Sequence, residues 1–567
     1  MVNLTIDGKK LHANDGMTVL GAAKKADIDI PTLCWMKGLN DIASCRVCLV
    51  EADGELVASC NTAVREGMVV RTDTPRVAAA RRANVEALME SHRYECGACV
   101  RQETCALRTL ASEFNIADID SCLPEKAAWD ESFPLIRDAS KCIKCMRCVA
   151  ECSKVQYCNV WERSGSGPNM NVFVKGGLPI SEAGCAACGQ CITHCPTGAL
   201  TARDDTGVVL EALLDPEIMT VVQVAPAVRS AWGEPLGLAR EDAAPSRMAA
   251  ALRALGFDKV FDTDFAADLT IMEEGSEFVE FLSSDKPRPM FTSCCPGWVR
   301  FAKLHYPQFV AQLSSAKSPH QMEGAVVKNT LSAEADGRRI FVVSIMPCVA
   351  KKYECGVPQL STEAGRDVDA VLTVREFDRM LKMFRIDCAS LEETPWDNPL
   401  GLSTGAGTIF GRTGGVMEAA LRSAVFLITG ENPDFSACDT TDSTPEKPWV
   451  AKHLEVAGTS VDIAVASGLD NTAKLLDAIE AGEAKFDFVE IMACPGGCVG
   501  GGGQPIEFNR ELAVERAANL NKLDAENTLR CSHENPDVQK LYADVLGKPL
   551  SRTSHEWLHT DQETWDI

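Results

Sequence analysis

Apolar and polar positions alternate over short stretches in the first 75 residues, and directly afterwards they take a helical spacing. Three strand-like runs separated by turns lie at 2–6, 55–58 and 69–71. They predict a small domain rich in β-structure over 1–75. Pro75, followed by apolar residues three and four positions apart, predicts a helix over 75–91 that buries one face.

From about residue 215 longer apolar runs alternate with helical stretches. The apolar runs, which are typical of buried strands, lie at 219–225, 339–345 and 461–466. Helical stretches lie, for example, at 245–255 and 374–384. This alternation predicts an α/β domain with mainly parallel sheets. Three cysteine motifs in this half begin at or just after strand-like runs, which is where open α/β sheets bind ligands.

Composition limits the classes of function. The chain has 567 residues, 46% hydrophobic and 24% charged, as expected for a soluble protein of three or four domains. A net charge of −24 argues against nucleic acid or an anionic membrane surface as partner, because both bind positive surfaces. Residues 1–10 lack a secretory pattern and no apolar run is long enough for a membrane span, so we expect a cytoplasmic protein. Its 26 cysteines should then be reduced thiols, mostly metal ligands or buried.

Four cysteines of the first domain have a spacing that suits an iron–sulfur site. They are Cys34, Cys45, Cys48 and Cys60. Plant-type 2Fe–2S ferredoxins combine a C-x2-C pair with remote cysteines, although here a lone cysteine precedes the pair at long range. A zinc ribbon is the alternative, and the unequal spacing disfavours it. We predict a β-grasp 2Fe–2S ferredoxin-like domain.

One histidine and three cysteines follow the predicted helix at cluster spacing. They are His92, Cys96, Cys99 and Cys105. Together they offer four ligands, which either a 4Fe–4S cluster or a zinc ion would accept. In a cluster, a neutral imidazole in place of an anionic thiolate should raise the reduction potential.

Residues 140–200 contain an internal repeat of the pattern C-x2-C-x2-C-x3-C. Two-cluster bacterial ferredoxins have this pattern, and in them the fourth cysteine of each run binds the other cluster. One predicted 4Fe–4S cluster therefore takes Cys142, Cys145, Cys148 and Cys195. The other takes Cys185, Cys188, Cys191 and Cys152. Ser153 stands where proline usually follows, which affects the local turn and not the ligands.

Four further cysteines lie in three motifs: TSCCPGW at 292–298, MPCVAKKYE at 346–354 and EIMACPGGCVGGGGQP at 490–505. They are Cys295, Cys348, Cys494 and Cys498. Thiolates suit zinc, copper(I) or iron–sulfur clusters, but zinc sites usually bring their cysteines in tight pairs. The three motifs closely resemble the signature motifs of the iron–iron (FeFe) hydrogenases. The other cysteines are expected to be core or surface thiols: Cys122, Cys158, Cys355, Cys388, Cys438 and Cys531.

The resemblance covers essentially the whole chain and implies its activity. That activity is the reversible reaction of protons and electrons to H2 at an H-cluster. In this group the four cysteines hold a 4Fe–4S cube, and Cys498 bridges to a diiron subsite with CO, cyanide and a bridging dithiolate. The resemblance also implies one 2Fe–2S and three accessory 4Fe–4S clusters, ferredoxin or a similar electron carrier, and hydrogenase maturation proteins.

The resemblance further implies five domains. They are the 2Fe–2S domain at 1–75, a 4Fe–4S domain with one histidine and three cysteine ligands at 76–125, a two-cluster 4Fe–4S ferredoxin-like domain at 126–210, the H-cluster domain at 211–514 and a wrapping, small-subunit-like tail at 515–567. The large iron–sulfur subunit of respiratory complex I is similar in its first part, so an electron-transfer subunit of that type is an alternative for residues 1–110.

A proton relay and a diiron pocket are also implied by the resemblance. The relay is Cys294, Glu274, Ser314 and Glu277. Lys351 would donate to a cyanide ligand, as a compact cation suits an anionic acceptor. The pocket is Ala225, Pro226, Ala227, Pro319, Met346, Phe410 and Met492. Taken alone, the glutamates also suit a solvated helix face, Lys351 a surface lysine, and the methionines and Phe410 an ordinary core.

Three positions depart from the family pattern. Phe281 stands where a polar, often basic, residue is expected at the mouth of the relay, Ala227 where some members have serine, and His320 where glutamine is familiar. A hydrogenase-like iron–sulfur assembly factor and a hydrogen-sensing relative are further alternatives. The intact relay and Lys351 argue against the assembly factor, and Cys294 argues against the sensor.

Overall fold

The computed structural model describes residues 1–116, 128–166, 169–440, 447–506 and 509–565. Part of the predicted 76–125 domain, including Cys122, lies outside the described residues. None of the helices in the described ranges is both long enough and apolar enough to cross a membrane.

The first domain is a mixed five-stranded sheet with one helix, Val19–Lys25. Its strands are Val2–Ile6, Lys9–Ala13, Leu49–Ala52, Glu55–Ala58 and Met68–Arg71. The first strand lies between the second and the last, antiparallel to the second and parallel to the last. The helix begins after Thr18, whose hydroxyl accepts a hydrogen bond from the Gly21 N–H, and this cap satisfies a free end of the helix. The predicted β-rich domain is confirmed.

A helix over Pro75–Glu90 follows, as predicted. The Thr74 hydroxyl caps its first turn, and Pro75 suits the first helical position because its missing N–H would have no helical partner there. The helix packs on Ala106–Glu113, with the short turn Cys96–Ala98 between them.

The two-cluster region keeps the sequence repeat in its structure. Its elements are Leu135–Arg137, Ala139–Lys141, Arg147–Lys154, Trp161–Ser164, Asn171–Val174, Lys175–Gly177, Ile180–Glu182, Gln190–Thr193 and Leu200–Ala202. The insertion between the two cysteine runs contributes a hairpin, Trp161–Ser164 with Asn171–Val174. The Ser153 hydroxyl donates to the Val149 carbonyl, so serine continues the helix where proline would have ended it.

Two sheets form the part of the chain predicted to be catalytic, residues 211–514, which is called the catalytic half. The first has the order Lys259–Asp262, Ile218–Val224, Arg339–Met346, Ala370–Thr373 and is parallel throughout. The second has the order Met290–Phe291, Phe488–Met492, Thr459–Ser467, Val450–Val456, with an antiparallel pair at the last edge. The prediction of an α/β domain with mainly parallel sheets is therefore confirmed.

The helices around these sheets pack on the strands and on one another. They are Thr206–Leu214, Pro226–Val228, Glu234–Leu236, Pro245–Ala254, Thr263–Leu282, Pro296–His305, Pro307–Gln312, Pro319–Thr330, Ala350–Glu354, Val374–Met383, Gly405–Ile409, Gly415–Thr429, Phe435–Cys438, Leu469–Glu480 and Cys498–Gly500. A small hairpin, Ser361–Thr362 with Gly365–Arg366, lies outside the two sheets.

The C-terminal region lies against the catalytic half. Its elements are Asn509–Glu526, Ser532–Glu534, Pro536–Leu541, Tyr542–Leu546 and Arg552–Leu558. Val538, Leu546 and Leu558 join the apolar core of the first sheet. The predicted boundary 210/211 falls inside Thr206–Leu214, and the predicted boundary 514/515 falls inside Asn509–Glu526. In the latter helix Ala513, Ala517 and Leu520 recur at helical spacing and pack into one apolar cluster.

Candidate active site and cluster sites

The three cysteine motifs of the catalytic half begin where strands of the two sheets end. Cys295 follows Met290–Phe291, Cys348 follows Arg339–Met346, and Cys494 follows Phe488–Met492. Parallel strands bring their carboxyl ends to one edge of a sheet. The motifs therefore meet between the two sheets, on loops held by buried strands.

The four thiols of these motifs share one environment. Burial, followed by the charges of the other thiols, raises the pKa of Cys348 to about 12 and also raises that of Cys494 and Cys498. Burial also raises the pKa of Cys295, although the Ala493 N–H donates to its sulfur at 3.5 Å. Ionising these buried thiols is costly unless a cation compensates the negative charge of the thiolates. The iron ions of a bound cluster supply that positive charge. The donor set fits a 4Fe–4S cube.

The glycine run explains how these loops come so close. A β-carbon at Gly501 would lie 2.1 Å from the Pro347 carbonyl oxygen, and one at Gly503 would lie 2.8 Å from the Cys348 nitrogen. A β-carbon at Gly502 would lie 2.3 Å from the Cys188 carbonyl oxygen. Only glycine allows the backbone to pass at these distances. The run therefore presses the Cys498 loop against both the Cys348 loop and the ferredoxin-like region.

Lys351 is a buried lysine and not a surface one. Its ammonium donates to the Cys294 carbonyl at 3.0 Å and to Glu354 Oε2 at 2.9 Å. The same Glu354 oxygen accepts from the Ser318 hydroxyl at 2.9 Å and from His320 Nε2. His320 also contacts the Ser344 hydroxyl through Nδ1 at 3.1 Å. These contacts fix the ammonium beside the TSCC motif.

Charges within this group set its protonation. Burial would raise the pKa of Glu354, but Lys351 and His320 hold it at about 2. Burial, with the nearby Lys351 charge, lowers the pKa of His320 to about 4. At neutral pH Glu354 is therefore ionised and His320 is neutral, donating through Nε2. The only local signal for Glu354 in the sequence is its place three residues after Lys351 on one helical turn.

Several predicted pocket residues pack near the cysteine motifs. Met346 and Met492 end their strands, and Phe410 follows the short helix Gly405–Ile409. Met492 and Phe410 share an apolar cluster with Cys294, Cys295 and Cys498. All seven predicted pocket residues are buried except Pro319, which is half-buried. Their burial is compatible with an ordinary core and with a diiron pocket, so the pocket stays a prediction.

A glutamine that sequence reasoning did not single out ties the pocket together. Gln504 Nε2 donates to the Ala227 carbonyl at 3.0 Å and to the Cys498 carbonyl at 3.4 Å. The Ala227 carbonyl also accepts from the Ser230 hydroxyl at 2.7 Å. Gln504 thus joins the loop after Ile218–Val224 to the Cys498 loop. Only its position at the end of the glycine run could have pointed to it.

The relay residues come together on one side of the helix Thr263–Leu282. The Ser314 hydroxyl donates to Glu277 Oε2 at 2.7 Å. Glu274 is fully buried, and within the described residues neither of its oxygens has a hydrogen-bond partner of good geometry. Burial, followed by the Glu277 charge, raises the pKa of Glu274 to about 8. The solvated-face interpretation is therefore wrong for Glu274.

Cys294 lies next to this buried carboxyl. Burial and the Glu274 charge raise the pKa of its thiol. Thiol and carboxyl are thus both protonated at neutral pH. At the other end of the relay, Phe281 is buried, and the Arg288 guanidinium lies over its ring at 5.7 Å. Arg288 itself pairs with Asp487. The phenyl ring of Phe281 has no exchangeable proton, although a polar residue was expected at this position.

The predicted histidine and three cysteine ligands line one cavity. His92, Cys96, Cys99 and Cys105 all face it. His92 Nδ1 lies 3.0 Å from the Lys141 carbonyl oxygen. A carbonyl can only accept, so Nδ1 carries the proton and Nε2 is left with a lone pair for a metal.

The predicted ligands of the ferredoxin-like region lie close to one another. One cavity is lined by Cys142, Cys145, Cys148 and Cys195. Cys152 instead lies within electrostatic range of Cys185 and Cys191. In the first domain all four predicted ligands are buried: Cys34, Cys45, Cys48 and Cys60. The thiols expected to be core or surface residues are also buried where described: Cys158, Cys355, Cys388, Cys438 and Cys531.

Family models match most of the chain. The iron only hydrogenase large subunit, C-terminal domain, matches residues 218–502, and the iron hydrogenase small subunit matches 510–562. A 2Fe–2S iron–sulfur cluster binding domain matches 1–75, and the NADH-ubiquinone oxidoreductase-G iron–sulfur binding region matches 81–120.

Full-length relatives agree with these matches. The chain is 46% identical to the NADP-reducing hydrogenase subunit HndD of Solidesulfovibrio fructosivorans, over 99% of this chain and 98% of that protein. It is 36% identical to iron hydrogenase 1 of Clostridium pasteurianum, over 99% of each. A variant of apo [FeFe]-hydrogenase HydA1 from Chlamydomonas reinhardtii superposes with a TM-score of 0.57 at 41% identity, over 63% of this chain and 98% of that one.

These matches exclude one of the alternative interpretations of the sequence. An electron-transfer subunit of the complex I type does not account for the match over 218–502, so that alternative is wrong for the chain as a whole. Iron–sulfur domains of 2Fe–2S and 4Fe–4S type precede a catalytic domain whose four cysteines meet between two sheets. The chain belongs to the iron-only (FeFe) hydrogenases and catalyses the reversible reduction of protons to H2 at an H-cluster.

Proposed function

We propose that electrons reach the H-cluster through four accessory clusters, one 2Fe–2S and three 4Fe–4S, held by the ligand sets predicted from the sequence. Two of these sets are supported by cavities. One cavity is lined by His92 and its three predicted cysteine partners, and the other is lined by Cys195 and its three predicted cysteine partners. Burial of all four cysteines in the first domain supports a third.

Contacts between the domains support a branched path for the electrons. Asn40 Nδ2 donates to the Cys34 carbonyl at 2.6 Å and to the Cys145 carbonyl at 2.9 Å. Arg101 Nη2 donates to the Cys195 carbonyl at 2.5 Å. The 2Fe–2S site and the His92 site would thus both join the first ferredoxin-like cluster.

The second ferredoxin-like cluster would pass electrons to the active site. The Cys494 sulfur lies 3.9 Å from the Cys188 carbonyl oxygen. Arg300, on the helix that follows Cys295, donates to the Cys185 carbonyl at 2.7 Å. Together with the close approach at Gly502, these contacts support direct electron transfer between the two sites, because their ligand loops are in contact.

We propose that Cys295, Cys348, Cys494 and Cys498 hold the H-cluster, with Cys498 as the bridging ligand. When bound, this cluster supplies the open metal position and the base that splitting of H2 requires. Lys351 would donate to a cyanide ligand, and its burial favours such a charge-assisted hydrogen bond. The apolar side chains of Met346, Met492 and Phe410 would exclude water.

We propose that protons pass along Cys294, Glu274, Ser314 and Glu277. A thiol, two carboxyls and a hydroxyl can each donate and accept a proton. A pKa of about 8 keeps Glu274 protonated at neutral pH, so it holds a proton that it can give to either neighbour. The Ser314–Glu277 hydrogen bond supports the last step.

One observation carries the proposed function. Four cysteines from three loops meet beside Lys351 and beside Cys294, the first residue of the proposed relay. Ferredoxin or a similar protein is the carrier we propose, in the cytoplasm, with maturation proteins supplying the diiron group. An NADP-linked partner complex is the second candidate, because the relative with 46% identity is named an NADP-reducing hydrogenase subunit.

Reduction of isolated carriers by H2 tests this choice. The matured full chain is incubated anaerobically with H2 and either oxidised ferredoxin or NADP+, with a viologen dye as a control for turnover. The proposal predicts rapid reduction of ferredoxin by the chain alone. Dye reduction without ferredoxin reduction would contradict it.

A further inference from the structure

The C-terminal region places a histidine beside the last relay carboxyl. The Ser315 hydroxyl lies 2.9 Å from Glu277 Oε1 and 2.8 Å from His559 Nδ1. Backbone hydrogen bonds fix this approach, since the Lys317 N–H donates to Leu558 and the Thr560 N–H donates to Ser315, each at 2.8 Å. His559 is buried. The imidazole is therefore held by the fold and not by a surface loop.

The far side of His559 is held by a buried carboxylate. His559 Nε2 lies 2.9 Å from Glu273 Oε2, which also accepts from the Leu550 N–H at 2.9 Å. Tyr542 and Ser554 donate hydroxyls to the other oxygen of Glu273. Burial alone would raise the pKa of Glu273, but these hydrogen bonds hold it below its usual value. An ionised Glu273 can stabilise a protonated His559.

A path to solvent continues from this ring. The imidazole of His555, one helical turn earlier, has its centroid 4.3 Å from that of His559. His555 is exposed, as is Glu280 on the neighbouring helix. The ionisable groups around the two rings are thus Glu273, Glu277, Glu280 and Tyr542. By contrast, the buried ring of Phe281 has no proton to exchange.

We propose that protons travel between Glu277 and solvent through Ser315, His559 and the exposed His555, so that the C-terminal region is part of the proton path. This inference rests on the proposed relay as far as Glu277. It adds a route beyond Glu277, where Phe281 replaces the polar residue expected at the mouth of the relay.

The transfer balances without any oxidant or reductant. A protonated Glu277 gives its proton to the Ser315 oxygen while the Ser315 hydroxyl gives its own to His559 Nδ1. Glu277 is left as carboxylate, Ser315 keeps its hydroxyl, and His559 becomes imidazolium beside the Glu273 carboxylate. The imidazolium then gives one of its two N–H protons to the neutral ring of His555, which is in contact with it, and His555 releases a proton to solvent from its exposed side. Proton uptake runs the same steps in reverse.

Substitutions along the path test the proposal in the full-length matured chain. His559→Gln can still form hydrogen bonds but cannot take up a proton, and His555→Gln leaves an exposed position that packing does not constrain. Positioned acid–base groups contribute about 100- to 10,000-fold to rates, so we expect His559→Gln to lower dye-driven H2 evolution by at least about tenfold. We expect a smaller loss in His555→Gln. His453→Gln, at an exposed histidine on another sheet, should behave as the unchanged chain.

A second readout does not depend on activity. Exchange of the imidazole C2 hydrogen for deuterium, followed by mass spectrometry on protein without the diiron group, reports the protonation of each histidine. The proposal predicts that His559 titrates, and that Glu273→Gln lowers its pKa because the balancing charge is lost. A His559 that stays neutral over the working pH range would overturn the proposal, even if the His559→Gln variant failed to fold.

The Glu277→Gln variant distinguishes failure of the path through His559 from failure of the proposed relay. A slow Glu277→Gln chain with wild-type rates in His559→Gln and His555→Gln would overturn this inference and leave the relay intact. Wild-type rates in Glu277→Gln would instead overturn the relay itself.

Discussion

Removing the charge of Glu354 should loosen Lys351. In the Glu354→Gln variant the side chain keeps its shape and still offers an oxygen to Ser318, but the ammonium of Lys351 loses its only described carboxylate partner. His320 loses a charged acceptor at the same time. Both groups are buried, so water cannot take over the missing interactions.

The size of the effect follows from two independent estimates. Breaking one side of a buried ion pair costs about 3–5 kcal/mol. A Glu354 pKa lowered from 4.5 to about 2 corresponds to about 3 kcal/mol, at roughly 1.4 kcal/mol per pKa unit. Because the folded-state pKa is lowered, this stability is present above pH 4.5 and is lost as the pH falls towards 2.

Urea denaturation of the full chain at neutral pH, followed by tryptophan fluorescence, measures the loss. For a slope of about 1–3 kcal/mol per molar urea, or somewhat more in a larger chain, the midpoint for the catalytic half should fall by about 1 M. Glu363→Gln, at an exposed position in the small hairpin, is the matched control and should not move the midpoint. Equal midpoints for Glu354→Gln and the control would refute the argument that Glu354 holds Lys351.

Three further predictions concern the relay and the contact between domains. Cys294→Ala should keep the infrared signature of the H-cluster but lose nearly all turnover; full activity would remove the first relay step. H2 evolution should fall as the pH rises through about 8, where Glu274 ionises, and a rate that is flat there would contradict its part in the relay. Gly502→Ala places a β-carbon 2.3 Å from the Cys188 oxygen and should cost about 1–3 kcal/mol. Stopped-flow absorbance should show slower reduction of the accessory clusters by H2 in this variant, but not in Gly207→Ala, where a β-carbon meets nothing within 4 Å.

Local patterns in the sequence predicted most of the fold. The strand predicted at 339–345 is observed at Arg339–Met346, and the helix predicted at 75–91 is observed at Pro75–Glu90. Buried strands have continuous apolar runs, and a proline after a capping threonine marks a helix start. Cysteine spacing predicted two of the thiol groups that line common cavities, the one with His92 and the one with Cys142.

Long-range hydrogen bonds could not be predicted in this way. Gln504 meets Ala227 across 277 positions and His559 meets Glu273 across 286. Apart from the glycine run before Gln504, nothing in their local sequence distinguishes them from solvent-exposed polar residues, because their partners come from distant elements.

Infrared spectroscopy of the matured full chain, with iron and zinc analysis of the same sample, tests the central claim most directly. The proposed ligand sets would bind one 2Fe–2S cluster, three accessory 4Fe–4S clusters and the H-cluster. We predict infrared bands from CO and cyanide that are absent before maturation, with iron in all sites and no stoichiometric zinc. A matured sample without these bands would contradict the assignment of Cys295, Cys348, Cys494 and Cys498 to an H-cluster.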